Sequence, residues 1–374
     1  MCKINEMLFV AVLSVSLTVL AGCVLQNTTV GPMWSWESLG YVSTESAGEP
    51  WNATLGTSIA VGTDGLVVVA FCEAGAISVK KYSAESAWTD FGSPGTGGFL
   101  SMTIDPSDNK PIVAFDDGNT GCQVVKWSSG TSWTSLGSPG AGGTYLTSVA
   151  IDPVDNKPVV ACAVHDRYSS GYLLVKKWSN DTNWDYLGCP CSSSCTSVRL
   201  AVGKDGAPIV AFNVTNVFND EYETHVSKYL DQGWMHLYGL PIFGEGPVLA
   251  IDPSDDMPLV ISGNGVYNLY KWSGESSWTN MGTPVPSTGR GCNLSLVLQP
   301  GDLSPVVSFV DRIHGNRACV SKWSGGLDWT DMGHPGAGEV CQLSLAIDPT
   351  GRPIVIFGDG SDGWRAHVMR GQLE

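Results

Sequence analysis

The chain has 374 residues, of which 43 % are hydrophobic and only 15 % charged, with 45 glycines, 21 prolines and 14 tryptophans. Its 36 acidic residues outnumber 20 basic ones, and the net charge of −16, with no basic stripe to offset it, repels polyanions and excludes nucleic acid as an expected partner. Abundant glycine with little charge suits many short strands and turns rather than long helices.

In chain order, the first segment stands apart from any fold. Lys3 precedes an apolar run from Met7 to Leu20, and small residues then lead to Cys23. The run is shorter than the roughly 20 apolar residues a membrane-spanning helix needs, so residues 1–22 read as a secretory signal. Leu20-Ala21-Gly22-Cys23 resembles the lipobox of bacterial lipoproteins, in which a diacylglyceryl group is attached to the cysteine and cleavage leaves it first. That resemblance implies lipidation at Cys23, attachment to a membrane through the lipid, and a place in the bacterial cell envelope. An ordinary secretory signal with Cys23 incidental is the other reading. Residues 23–32 are then the lipidated cysteine and its tether. Lys3 and Glu6 leave together, so cleavage does not alter the net charge.

From residue 33 onward the chain repeats. The clearest copy runs Ser148-Val149-Ala150-Ile151-Asp152-Pro153, Asn156-Lys157-Pro158-Val159-Val160-Ala161, Val175-Lys176-Lys177-Trp178, and Trp184 to Gly188. These are four short apolar or alternating runs bounded by Gly, Pro, Asn or Asp, so one repeat is four strands. The Asp152 position recurs as Gly62, Asp105, Asp152, Gly203, Asp252, Gln299 and Asp348, which makes seven copies at 43 to 51 residue intervals. This period predicts a seven-bladed β-propeller with four-stranded antiparallel blades over residues 33–374. The fourth-strand tryptophan first occurs at Trp36, before the first blade, and the last repeat ends without one. The strand Met33 to Gly40 therefore closes the last blade. The pattern resembles tandem propeller repeats of bacterial envelope and secreted proteins, a group whose fold carries no single activity. The sialidase Asp-box is not matched, because the turn Ser179 to Trp184 is too short and lacks its glycine. Tachylectin-like propellers share the repeat length, but their strand motifs differ.

No nucleophile elbow, metal-binding helix motif or phosphate loop is present. His225 and His367 share one strand position with Cys319 and read as strand filling, whereas His165 and His314 fall in loops beside Asp166-Arg167 and Asp311-Arg312. The first-to-second-strand turns repeat Asp-Pro-Ser-Asp-Asn-Lys-Pro and read as structural, so recognition is expected on the opposite face, where loops vary. That face presents Glu73, Asp117, Val164, Val214, Asn264, Asp311 and Asp359 at one repeat position. The acidic members are read either as a ring for a cation, sugar hydroxyls or a basic peptide, or as a solvated rim. Gly358 to Gly363 loosely resembles a calcium loop but falls short of its ligand spacing, so no cofactor beyond a weak calcium candidate and no metal site is assigned.

Eleven tryptophans fill recurring slots, leaving Trp34 for the closing strand and Trp51 and Trp364 beside the varied loops of neighbouring blades. An indole pair near Glu73, Asp359 and Asp362 suits sugar stacking with hydroxyl hydrogen bonds. Covering blade edges is the plainer role for both. Cys189, Cys191 and Cys195 cluster in one link, where a loop disulfide precedes zinc as a reading, because paired ligand spacing is absent. The expected function is a non-catalytic module binding a glycan or envelope protein through Trp51, Glu73, Asp117, Asn264, Asp311, Asp359, Asp362, Trp364, His165 and His314. A structural scaffold in envelope assembly is second, and a glycan-directed enzyme third.

Overall fold

The computed structural model describes residues 34–46, 56–83, 87–140, 144–164, 171–191, 195–215, 222–231, 233–240, 244, 246–274, 276–285 and 293–374. The signal segment, Cys23, its tether, Trp51, His165 and Cys292 lie outside them. Residues Trp34 to Gln372 form one compact unit. It is a seven-bladed β-propeller built of antiparallel four-stranded sheets, one of which gains a two-residue strand, Gly95–Thr96. The inner strands are Thr57–Val61, Gly98–Asp105, Thr144–Asp152, Cys195–Val202, Val248–Asp252, Leu294–Leu298 and Val340–Ile347, numbered here as blades 1 to 7. Each contacts the next around the axis, and the last contacts the first. Ring closure is as expected, with the strand at Trp34–Tyr41, paired to Arg365–Leu373 as the outer strand of blade 7. No helix among the described residues is long and apolar enough to cross a membrane.

The second strands read as unbroken apolar runs because both of their faces are covered. Val67–Glu73, sequence VVVAFCE, is buried at every residue but the last. Side chains from one face of each sheet meet those of its neighbour in seven apolar clusters, one per blade junction.

Three recurring polar ties fix the blades. On the inner strands, Ser58, Ser101, Ser148 and Ser295 each accept the backbone N–H of the next blade's Met102, Val149, Leu200 and Leu345. On the outer strands the signature tryptophan donates its indole N–H to the preceding blade: Trp36 to Met332, Trp88 to Leu39, Trp133 to Phe91, Trp184 to Leu136, Trp234 to Leu187 and Trp329 to Met281. Each acceptor is the carbonyl three residues after the preceding tryptophan. Trp278 breaks the series, since its buried indole nitrogen has no partner.

The third tie explains the monotonous turns. Asp105, Asp152 and Asp252 each accept the N–H two residues on and pair with the third-strand lysines Lys126, Lys177 and Lys271. Where the repeat has Gly203 or Gln299 instead, Asp205 and Asp302 move into the role and hold Lys228 and Lys322. In blade 7, Asp348 holds Arg352. Burial by itself would raise these carboxyls, but the hydrogen bonds and charge of the paired cation outweigh it and hold Asp105, Asp205, Asp252, Asp302 and Asp348 below the usual carboxylate range.

Candidate functional site at the ring closure

The closing strand meets blade 7 beside an open cavity of about 590 Å³. Trp34, Ser35, Trp36 and Tyr41 line it from the closing strand, and His334, Gly336 and Ala337 from the link between blades 6 and 7. Asp359, Ser361, His367 and Met369 complete it from blade 7. Gly336 has φ +82°, and a Cβ there would lie 3.0 Å from the Phe357 ring, so glycine lets the link pass close over the blade.

Asp359 ends the second strand, Pro353–Asp359, and is 3 % exposed. One carboxylate oxygen accepts the Ser361 N–H at 2.9 Å and the Ser361 hydroxyl at 2.6 Å. The other accepts the Tyr41 hydroxyl at 2.9 Å and meets His367 Nδ1 at 3.1 Å. Burial raises the Asp359 carboxyl, but the Ser361, Tyr41 and His367 hydrogen bonds prevail and hold it below the usual carboxylate range. Tyr41 stacks on His367 with ring centroids 4.2 Å apart, and the Arg365 guanidinium lies 4.4 Å over the tyrosine ring. Burial, the Asp359 hydrogen bond and the Asp359 and Asp362 charges together push the Tyr41 phenol up to about 12. It therefore stays a neutral donor. The far nitrogen of His367 meets Ser38 Oγ at 2.7 Å.

Among the described residues expected from sequence, Asp359 alone lines this cavity, with Asp362 and Trp364 just beyond it in the same loop. Residues Gly360–Asp362 form a single 3₁₀ turn, and Asp362 pairs with Arg365. Trp364 is half-buried in a left-handed conformation, φ 63°, and its indole packs against Gly360, where a Cβ would lie 2.9 Å from the ring. The remaining carboxylates are taken up by nearby backbone groups. Glu73 accepts Thr44 N, Thr44 Oγ1 and Glu45 N, pinning the chain that leaves the closing strand. Asp117 accepts the N–H groups of Asn119, Thr120 and Gly121. Asp311 accepts those of Ile313 and His314 and meets the exposed His314 ring at 2.7 Å. Asn264 is exposed in its turn. Among the described residues no group of three or more His, Cys, Asp or Glu could hold a metal ion.

Sequence reasoning did not single out Tyr41, Ser38, His334 or Arg365, and it read His367 as strand filling. The available signal was in the repeat itself, because the slot two residues after each fourth-strand tryptophan is polar in six of the seven copies, Tyr186 being the exception, and only the closing strand carries a tyrosine, Tyr41, directly after its glycine.

No family model matches the chain, and no curated protein matches it. Solved structures do. It is similar to the BP39L lectin from Burkholderia pseudomallei, at TM-score 0.68 and 13 % identity over 86 % of this chain and 96 % of that one. It is also similar to the SapL1 lectin in complex with α-methyl fucoside, at TM-score 0.53 and 13 % identity over 75 % and 95 %. The WD40 propeller domain of Doa1 aligns at TM-score 0.53 and 14 % identity over 91 % and 97 %. At such identities the likeness shows the fold.

Proposed function

We propose that this chain is a lipid-anchored propeller of the bacterial envelope that binds a glycan in the cavity at its ring closure. The observation carrying this reading is the lining of that cavity, where indole, phenol and imidazole rings stand beside a buried, fully engaged carboxylate and an exposed histidine. Aromatic faces stack on the apolar face of a sugar, while Ser361 and His334 offer donors and acceptors to hydroxyls. A volume of about 590 Å³ falls within the usual range for small-ligand sites. Two of the similar propellers are lectins, which agrees with the reading. The closure also supplies rigidity, since two chain segments distant in sequence meet there.

Titration with a panel of methyl glycosides, α-methyl fucoside included, tests the site: binding lost in Tyr41→Ala and His334→Ala supports it, and binding unchanged in both ends it. The anchor has its own test. Expression in a bacterial host should give an N-terminal peptide carrying a lipid on Cys23, absent in Cys23→Ser, and a soluble unlipidated wild-type product would contradict it.

A further inference from the structure

We infer that Ser38, His367 and Asp359 form an acyl-transfer relay with Ser38 as nucleophile, acting on an O-acyl ester borne by a glycan; the glycan part rests on the binding reading above.

The geometry assigns each role. Ser38 is exposed on the closing strand, between the lining residues Trp36 and Tyr41. Its oxygen accepts the Gly40 N–H at 3.1 Å, which leaves the hydroxyl proton to donate to His367 Nε2 at 2.7 Å. The network thereby assigns the ring proton to Nδ1, which donates to Asp359 Oδ2 at 3.1 Å. A nucleophile, a base within hydrogen-bond reach and a third group orienting the base are the elements that activate a serine. Tyr41, stacked on the imidazole and bonded to the same carboxylate oxygen, locks the ring in place. His367 is 8 % exposed and Asp359 3 %, so the pair is shielded while the serine faces solvent.

The repeat provides an internal comparison, because every blade has the same three slots. His367 lies opposite Phe357, just as His225 lies opposite Phe212, Gln123 opposite Phe115 and Cys319 opposite Phe309. Reading the loop, third-strand and fourth-strand slots together gives Asp117, Gln123 and Ser135 in blade 2. Blade 4 has Val214, His225 and His236, and blade 6 has Asp311, Cys319 and Asp331. Blade 7 alone joins a carboxylate, a histidine and a serine. The serine slot by itself is a turn cap, since Ser135 likewise accepts Gly137 N–H at 3.1 Å. What blade 7 adds is the base and its orienting acid.

In the reaction Ser38 Oγ attacks the ester carbonyl carbon while His367 Nε2 takes the hydroxyl proton. The carbon–oxygen bond to the glycan breaks, and the histidine returns that proton to the departing sugar hydroxyl. Water then attacks acyl-Ser38 with His367 again as base, releasing a carboxylic acid and restoring the serine.

A fluorophosphonate probe tests this on the full propeller, since it phosphonylates an activated serine with loss of fluoride. Peptide mass spectrometry should place the adduct on Ser38, and the protein should turn over p-nitrophenyl acetate. Ser38→Ala should abolish both, and His367→Gln should slow labelling about 100-fold or more. Ser135 is the internal control for an exposed serine in the same slot without a base. Labelling of Ser38 no faster than Ser135, or ester turnover surviving in Ser38→Ala, overturns the proposal. Neither probe contains a sugar, so a reactive Ser38 in a protein that binds no methyl glycoside would refute the glycan reading and keep the relay. Glycoside binding with an inert Ser38 would do the reverse.

Discussion

The broken tryptophan series gives a sharp test of what holds the blades together. Trp133 donates its indole N–H to the Phe91 carbonyl across a blade junction at 2.9 Å, whereas the buried indole nitrogen of Trp278 has no acceptor. Replacement of either by phenylalanine removes similar ring area, so the area losses cancel in the comparison. Trp133→Phe also strands a buried carbonyl, at a cost of about 1–3 kcal/mol. Trp278→Phe strands nothing and relieves an unsatisfied donor. Urea unfolding of the two variants should therefore show Trp133→Phe less stable by at least about 1 kcal/mol, with unchanged m-values. Equal losses would refute the view that the indole bonds, rather than ring packing, are what the repeated tryptophan contributes between blades.

In the first-to-second-strand turns, Asn109, Asn156 and Asp256 occupy one left-handed position at φ 53°, 55° and 57°, and Leu303 fills it in blade 6 at φ 56°. A branched apolar side chain there costs about 1–2 kcal/mol, so Leu303→Asn should raise the urea midpoint, and a lowered midpoint would contradict the strain. The turn carboxyls govern acid stability. Because Asp105, Asp205, Asp252, Asp302 and Asp348 are held low in the folded state, their contribution is complete above the unfolded value of about 3.9 and is lost as pH falls through the lower folded values. Unfolding should then take up protons below about pH 4, and Asp105→Asn should lower stability at pH 7 while flattening that acid slope. A parallel downward shift at every pH would show that the Lys126 pairing is not the source. Asp359→Asn keeps the shape of the site but loses an acceptor shared by Tyr41 and His367, and it should bring the Tyr41 phenol down from about 12 in a spectroscopic titration. An unmoved phenol would place the cause in burial and the Asp362 charge.

The fold was largely legible because each blade repeats a code that local physics enforces: apolar second strands, Asx turns, and a fourth-strand tryptophan displaced to the N-terminus. The closing strand followed from Trp36 preceding the first blade and the last repeat lacking its own. At Gly203 and Gln299 the repeat position carries no carboxylate, and Asp205 and Asp302 take over the lysine clasp from neighbouring turn positions, a substitution the repeat register does not show. The site was half legible. Asp359 and its loop stood out because loop composition differs between blades, but a loop carboxylate has the same letter whether it faces a cavity or caps its own turn, as Asp117 and Asp311 do. Tyr41, Ser38 and His367 come together only through ring closure, which joins residues 329 positions apart in the Ser38–His367 contact, and no local pattern encodes that meeting.

The most direct measurement is a binding titration of the methyl glycoside panel against wild type, Tyr41→Ala and Asp117→Ala. Tyr41 lines the cavity, while Asp117 belongs to the loop of blade 2. Saturable binding should fall about tenfold or more in Tyr41→Ala, the equivalent of about 1.4 kcal/mol, and stay unchanged in Asp117→Ala. Binding that survives Tyr41→Ala but fails in Asp117→Ala would place recognition on the acidic loop face and contradict the closure site.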